Sequence, residues 1–310
     1  MDFKTWNMFW RLCFGVLATL IITGNILIIW IFFKLRRRKR STFLLIGLGV
    51  ADLLVGGLAI PLLIARYESA SITVWLVFHL VDVFTITSSI NALAVISVER
   101  MFAIGWPLRH RTANFRVYIC AIALPWIIAA IYAITFFVYA NFNFMTRDSV
   151  IYLIVLLPAI PLLIMCVAYY VIWRKQKSTI CNQNNIIREV KLANTLFLIT
   201  GASVFTWLPF QILNLLVYFQ ITTNFSHMLP TVLIIRVLQY SNSFVNVIIY
   251  PLRIPEFKNY LLHLLRCCVV HRQVFRAGVL SSAGSGSIVS LVRFTSTQHL
   301  SPSSKQESAV

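Results

Sequence analysis

The sequence predicts an all-α membrane protein, a seven-transmembrane helix bundle with a short amphipathic eighth helix. Three observations carry this. The 310 residues are 59% hydrophobic and only 12% charged, with a mean hydropathy of +0.82, more apolar surface than a water-soluble domain needs. Seven apolar segments are long enough to span a bilayer, at about 11–33, 43–65, 73–105, 117–140, 150–173, 190–219 and 229–250. The basic residues behind the net charge of +18 fall in short clusters between these segments, as charge is distributed around a lipid bilayer and not as on a nucleic-acid-binding face.

Lipid offers backbone groups no partner, so each span is expected to be a helix. Lys34, Arg36, Arg37, Arg38, Lys39 and Arg40 follow the first span. Arg109, Arg111 and Arg116 follow the third, and Arg174, Lys175 and Lys177 the fifth. The positive-inside rule places these gaps in the cytosol. The alternate gaps hold little basic charge: Arg66 is balanced by Glu68, Arg147 by Asp148, and 220–228 has none. The expected protein is a multi-pass plasma-membrane protein with its N-terminus outside and its C-terminus inside. The first apolar run is too long for a signal core and reads as a signal anchor.

The expected organisation is an extracellular N-terminus over 1–10, a seven-span domain over 11–252, an amphipathic helix over 253–272 and a Ser-rich, disordered cytoplasmic tail over 273–310. The adjacent Cys267 and Cys268, flanked by Arg266 and Arg272, suit palmitoylation. Only Cys13 of the six cysteines is expected near the outer face, which predicts no intramolecular disulfide. Asn224-Phe225-Ser226 is a glycosylation sequon in the last outer gap.

Asp52, Asp82, Glu99, Arg100 and Arg236 lie inside spans, where an unpaired charge costs several kcal/mol, so each is expected to face the bundle interior. Asp82 and Arg100 are five helical turns apart, which puts them on one face about 27 Å from each other, near opposite membrane surfaces.

Gly24-Asn25 in the first span, Leu48-Gly49-Val50-Ala51-Asp52-Leu53 in the second and Glu99-Arg100 closing the third begin an ordered series. Trp126 in the fourth, Pro161 and Tyr169 in the fifth, Thr206-Trp207-Leu208-Pro209 in the sixth and Asn246-Val247-Ile248-Ile249-Tyr250 in the seventh complete it. In this order on successive spans they resemble a rhodopsin-like (class A) G-protein-coupled receptor over about residues 10–268, with some amine-receptor-like features. The resemblance implies a receptor that binds an extracellular ligand in the outer half of the bundle and activates a heterotrimeric G protein. It implies that Arg100 pairs with Glu99 and Glu189 at rest, and turns to Tyr169 and Tyr250 when the sixth helix swings out about Pro209. Leu108 resembles the apolar plug that enters the G protein. Asp52, Ser89, Asn242 and Asn246, with Asn25 beside them, match the family's allosteric sodium pocket; a water-filled hydrogen-bond network would use the same residues.

The ligand stays open. Asp82 and Tyr240 stand where amine receptors hold a protonated amine, with Trp207, Phe210 and Trp75 as aromatic walls. The alternative is a structural Asp82–Arg236 bridge and a peptide, lipid or nucleoside ligand. Four departures from the family pattern are Trp75 in place of the third-helix cysteine, Met101 after Arg100, Val247 in place of the seventh-helix proline and Ser203 where a phenylalanine often packs below Trp207.

No lysine lies within the seventh span, and Tyr240 stands where an opsin carries its retinal lysine, so no retinal is expected. A transporter could use Asp52 and Asp82, but no paired internal halves are visible. The six histidines form no metal or nucleophile motif, and no enzyme is expected. The terminal Glu307-Ser308-Ala309-Val310 fits capture by a PDZ domain.

Overall fold

The structure is a computed structural model, and it describes residues 3–34, 40–69, 71–142, 157–178, 183–219, 225–253 and 257–262, with the side chains of 3–6, 40, 111, 140–142, 157, 176–178, 183–197, 199–200, 218, 225–228 and 250–253 excepted. The helices in order are α1 (Phe3–Lys34), α2 (Arg40–Leu54), α3 (Ile60–Glu68), α4 (Ile72–Gly105) and α5 (Pro107–Thr112). α6 (Phe115–Phe142), α7 (Leu157–Ser178), α8 (Gln183–Tyr218) and α9 (Phe225–Arg253) follow, with a last helical stretch over 257–262. Among the described residues six stretches are long and apolar enough to cross a membrane, and Gly201–Val217 is the shorter apolar part of α8. The chain folds as the seven-span bundle its sequence predicts.

α2 and α3 are halves of the second span, joined by one π-helical turn, Val55–Ala59. Pro61 has no N–H to donate to the preceding turn, and its ring would press on that turn's carbonyls. The wider turn relieves this, with the Ile60 N–H bonding the Val55 carbonyl five residues back. Beyond the turn, α3 runs to Glu68, so Arg66 is a helical residue, not a loop residue.

α4 is the axis of the bundle, packing against α2, α6 and α7 and touching α8. Small buried residues along it, Ser88, Ser89, Ala92 and Ala94, let its neighbours approach closely. Ile127, Ile131 and Ile134 on α6 and Leu163 and Val167 on α7 stay exposed, as suits a face turned to lipid.

Two stretches outside the expected spans are helical. The segment 1–10 is helical from Phe3, because Trp6, Met8 and Phe9 prolong the apolar pattern and no Gly or Pro breaks it before Gly15. The gap after the third span holds the short helix α5, with Pro107 at its first turn, where a fixed φ favours helix and the missing N–H is not needed. Residues 263–310, with Cys267, Cys268 and the C-terminal motif, lie outside the described residues, as does Asn224.

Gly24 shows how tightly α1 meets α9. A Cβ there would stand 2.5 Å from Cγ1 and 2.7 Å from Cγ2 of Val247, the residue that departs from the family pattern. Overpacking of this kind costs about 1–3 kcal/mol. Gly24→Ala is expected to lower the melting temperature of the purified protein, and adding Val247→Ala to restore it. Equal losses in the single and double variants would place the strain elsewhere.

Candidate functional site

The buried polar side chains form three layers. The upper layer is at the end where α1 begins, the middle layer at mid-bundle, and the lower layer at the end holding the basic clusters.

In the upper layer, Arg236 and Tyr240 are one turn apart on α9 and reach the same carboxylate on α4. Arg236 Nη1 donates to Asp82 Oδ2 at 2.9 Å, and the Tyr240 hydroxyl donates to Asp82 Oδ1 at 2.6 Å. Arg236 Nη1 also donates to Gln239 Oε1 at 3.1 Å, and the guanidinium lies 4.6 Å from the Phe210 ring centre. Trp207 meets Phe210 edge to face at 6.5 Å. Asp82, Arg236, Tyr240, Phe210 and Trp207 are thus linked in one chain of contacts, whereas Trp75 packs on His79 instead. Asp82 is 3% exposed and both its oxygens have donors, so an ammonium could reach it only by displacing a guanidinium.

Three features of this layer escaped the sequence. Gln211, 7% exposed, has neither amide atom hydrogen-bonded, and the buried Trp207 indole N–H has no acceptor. Arg66 does not pair with Glu68, because residues two apart on a helix point to different sides. Glu68 instead pairs with Arg11 at 3.0 Å, while the Arg66 guanidinium lies 5.5 Å from the Phe78 ring centre and 5.8 Å from that of Tyr67. Finally, Trp75 packs on the His79 ring at 4.2 Å, and His79 stacks on Phe136 of α6 at 6.1 Å. This aromatic ladder ties α4 to α6 at the end where the family's cysteine is missing.

In the middle layer, the Ser89 hydroxyl donates to Asp52 Oδ1 at 2.6 Å and Asn246 Nδ2 to Oδ2 at 2.9 Å. Asn25 Nδ2 donates to the carbonyls of Ile21, at 2.9 Å, and Ser243, at 3.4 Å, while its Oδ1 is buried without a partner. Asn242 stands apart from Asp52 in bonding: its Oδ1 accepts from Thr206 on α8 at 3.5 Å. One carboxylate, a hydroxyl and a free amide oxygen form an oxygen-rich donor set compatible with a hard monovalent cation.

In the lower layer, Glu99 Oε2 lies 3.1 Å from Arg100 Nε. Glu99 Oε1 accepts from Ser41 Oγ at 2.7 Å and faces His110 Nε2 at 2.7 Å. Tyr118 Oη is 3.0 Å from the same nitrogen. With Nε2 protonated, His110 donates to Glu99, and this carboxylate joins α2, α4 and α5. Neither Ser41 nor His110 was legible as a partner from spacing. Leu108 on α5 is 79% exposed, and Tyr169 is half-buried on α7. The side chains of Glu189 and Tyr250 lie outside the described residues.

Residues 24–250 match the family described as 7 transmembrane receptor (rhodopsin family). The chain is 27% identical over 282 residues to an adenosine receptor A3 of Ovis aries, covering 80% of this chain and 87% of the relative. It is 28% identical over 286 residues to an adenosine receptor A3 of Bos taurus, at the same coverage of 80% and 87%. It is also 28% identical over 297 residues to an adenosine receptor A2b of Gallus gallus, covering 80% and 85%.

Proposed function

The chain belongs to the rhodopsin family of seven-transmembrane receptors, and from that premise we propose that it couples an extracellular ligand of the nucleoside class to a heterotrimeric G protein. In this reading the upper layer faces outside and the lower layer faces the cytosol. The observation that carries the ligand class is Gln211. A buried carboxamide with a free donor and a free acceptor is complementary to the donor–acceptor edge of a nucleobase, and Phe210 and Trp207 beside it offer faces and edges to a flat heterocycle. The adenosine-receptor relatives support the same class.

The test is a panel of adenosine, inosine, guanosine and uridine on cells reporting several G-protein pathways. At least one nucleoside is expected to activate the receptor. Gln211→Leu is expected to weaken its potency about tenfold or more, the effect of losing a pair of hydrogen bonds to a buried group. A receptor silent to all four, but answering an amine, a lipid or a peptide, would overturn the assignment.

The other layers take roles consistent with this. Asp52, Ser89, Asn246 and the free Asn25 oxygen would hold a sodium ion that favours the resting bundle, with Asn242 joining the layer to α8. Sodium is accordingly expected to reduce basal signalling, and Asp52→Asn to abolish that sodium effect without loss of surface expression; sodium sensitivity retained in the variant would exclude the site. At the lower end the exposed Leu108 would enter the G protein, and α8 would swing about Pro209 to admit it. Palmitoyl groups on Cys267 and Cys268, a glycan on Asn224 and PDZ capture of Val310 complete the proposal.

A further inference from the structure

The upper end holds more positive than negative charge among the described residues. Glu68 is taken by Arg11, and Asp82 by Arg236. Among the described residues Arg66 has no carboxylate partner of its own: its guanidinium rests against Phe78 and Tyr67 and lies within the electrostatic reach of Arg236 and Asp82. Phe78 is one turn above Asp82 on α4, so both guanidiniums border the space above that carboxylate. A half-buried cation without a counter-charge is costly, and a like charge nearby raises the cost.

The donors are also unspent. Contacts to ring faces use the charge of Arg66 and leave its N–H fork free. On Arg236 the bonds to Asp82 and Gln239 both leave from Nη1, so Nη2 and Nε retain their protons for another acceptor. At the same end a crevice opens between α1, α3 and α9, lined by Phe14, Tyr67 and Leu233 together with the Arg11–Glu68 pair.

We infer that Arg66 and Arg236 form an oxyanion subsite, and that the ligand of this receptor carries a carboxylate or phosphate group. An oxyanion between the two forks brings the local balance to two cations and two anions, and leaves the Asp82–Arg236 bond intact. The inference rests on the upper layer being the ligand site. Joined to the nucleobase reading of Gln211, it makes a phosphorylated or acidic nucleoside a better ligand than the neutral one.

The first measurement does not depend on the nucleobase. The melting temperature of the purified full-length receptor is followed with pyrophosphate or succinate, at ionic strength held constant with chloride. One of the two anions is expected to raise it, the choice identifying phosphate or carboxylate as the preferred group. The rise is expected to vanish in Arg66→Gln, to persist at reduced size in Arg66→Lys, and to be unchanged in Lys175→Gln, a basic residue at the opposite end. No rise with either anion in the wild type, or an equal rise in Arg66→Gln, overturns the subsite whatever the native ligand is. The second measurement compares adenosine, adenosine 5′-monophosphate and adenosine 5′-carboxylate as agonists. An anionic form is expected to be at least about tenfold more potent than adenosine, with Arg66→Gln erasing the difference. If adenosine is the most potent of the three, the subsite is refuted and the nucleoside assignment stands. If none activates while the anion-dependent rise is present, the subsite stands without an adenine ligand, and the nucleoside assignment fails if inosine, guanosine and uridine are silent as well.

Discussion

Arg236→Gln is expected to destabilise the receptor by about 3–5 kcal/mol, the usual cost of removing one partner of a buried ion pair. The change strands Asp82, which is 3% exposed, with only the Tyr240 hydroxyl to hold its charge. Asp82→Asn errs in the opposite sense, leaving a buried guanidinium with Phe210 and Gln239 but no carboxylate. The double variant carries two neutral amides of similar shape and is expected to recover most of the loss. Melting temperatures of the two single variants and the double variant give the coupling energy directly. Strictly additive losses would mean that the two side chains do not act as a bridge. The same variants bear on amine recognition. An amine agonist that used Asp82 would lose its response in Asp82→Asn at unchanged surface expression, so unaltered potency there would exclude that role.

Legibility in the sequence followed the scale of the signal. The spans were readable because a bilayer crossing demands about 20 apolar residues, and none of the seven is interrupted by a charge cluster. The convergence of Asp82, Arg236 and Tyr240 was readable because charge inside a membrane must find a partner and few candidates exist. The charge count of Arg66 against Glu68 says nothing of pairing, and helix geometry sends the two side chains to different neighbours. The π turn at Val55–Ala59 depends on how Pro61 meets the preceding carbonyls, and no apolar periodicity records that. Gln211 is a polar residue in an apolar span, and only the packed bundle reveals that its amide stays unpartnered. His110 meets Glu99 across the turn between α4 and α5, eleven residues away in sequence, at a spacing that belongs to no regular element.

That last contact makes Glu99 the residue whose loss should alter signalling most. Arg100 has two acidic partners in the resting state of this reading: Glu99, which the structure places 3.1 Å from its Nε, and Glu189 at the start of α8. Glu189→Ala removes one partner of Arg100. Glu99→Ala removes the other, and also frees α2 at Ser41 and α5 at His110, because one carboxylate holds all three. Interactions worth about 1 kcal/mol in one state shift a two-state equilibrium about fivefold. Ligand-independent G-protein activation, at matched surface expression, is therefore expected to rise about fivefold in Glu189→Ala and further in Glu99→Ala. His110→Ala should fall below both, since it unties only α5 and leaves the pair with Arg100. Arg100→Ala is expected to lower coupling instead, because the active state loses the side chain that turns toward Tyr169 and Tyr250. Flat basal activity in both glutamate variants, with Arg100→Ala still impaired, would show that acidic partners of Arg100 do not hold this receptor closed. A rise in Glu189→Ala alone would leave the Glu99 cluster as an anchor for α5 without a part in the switch.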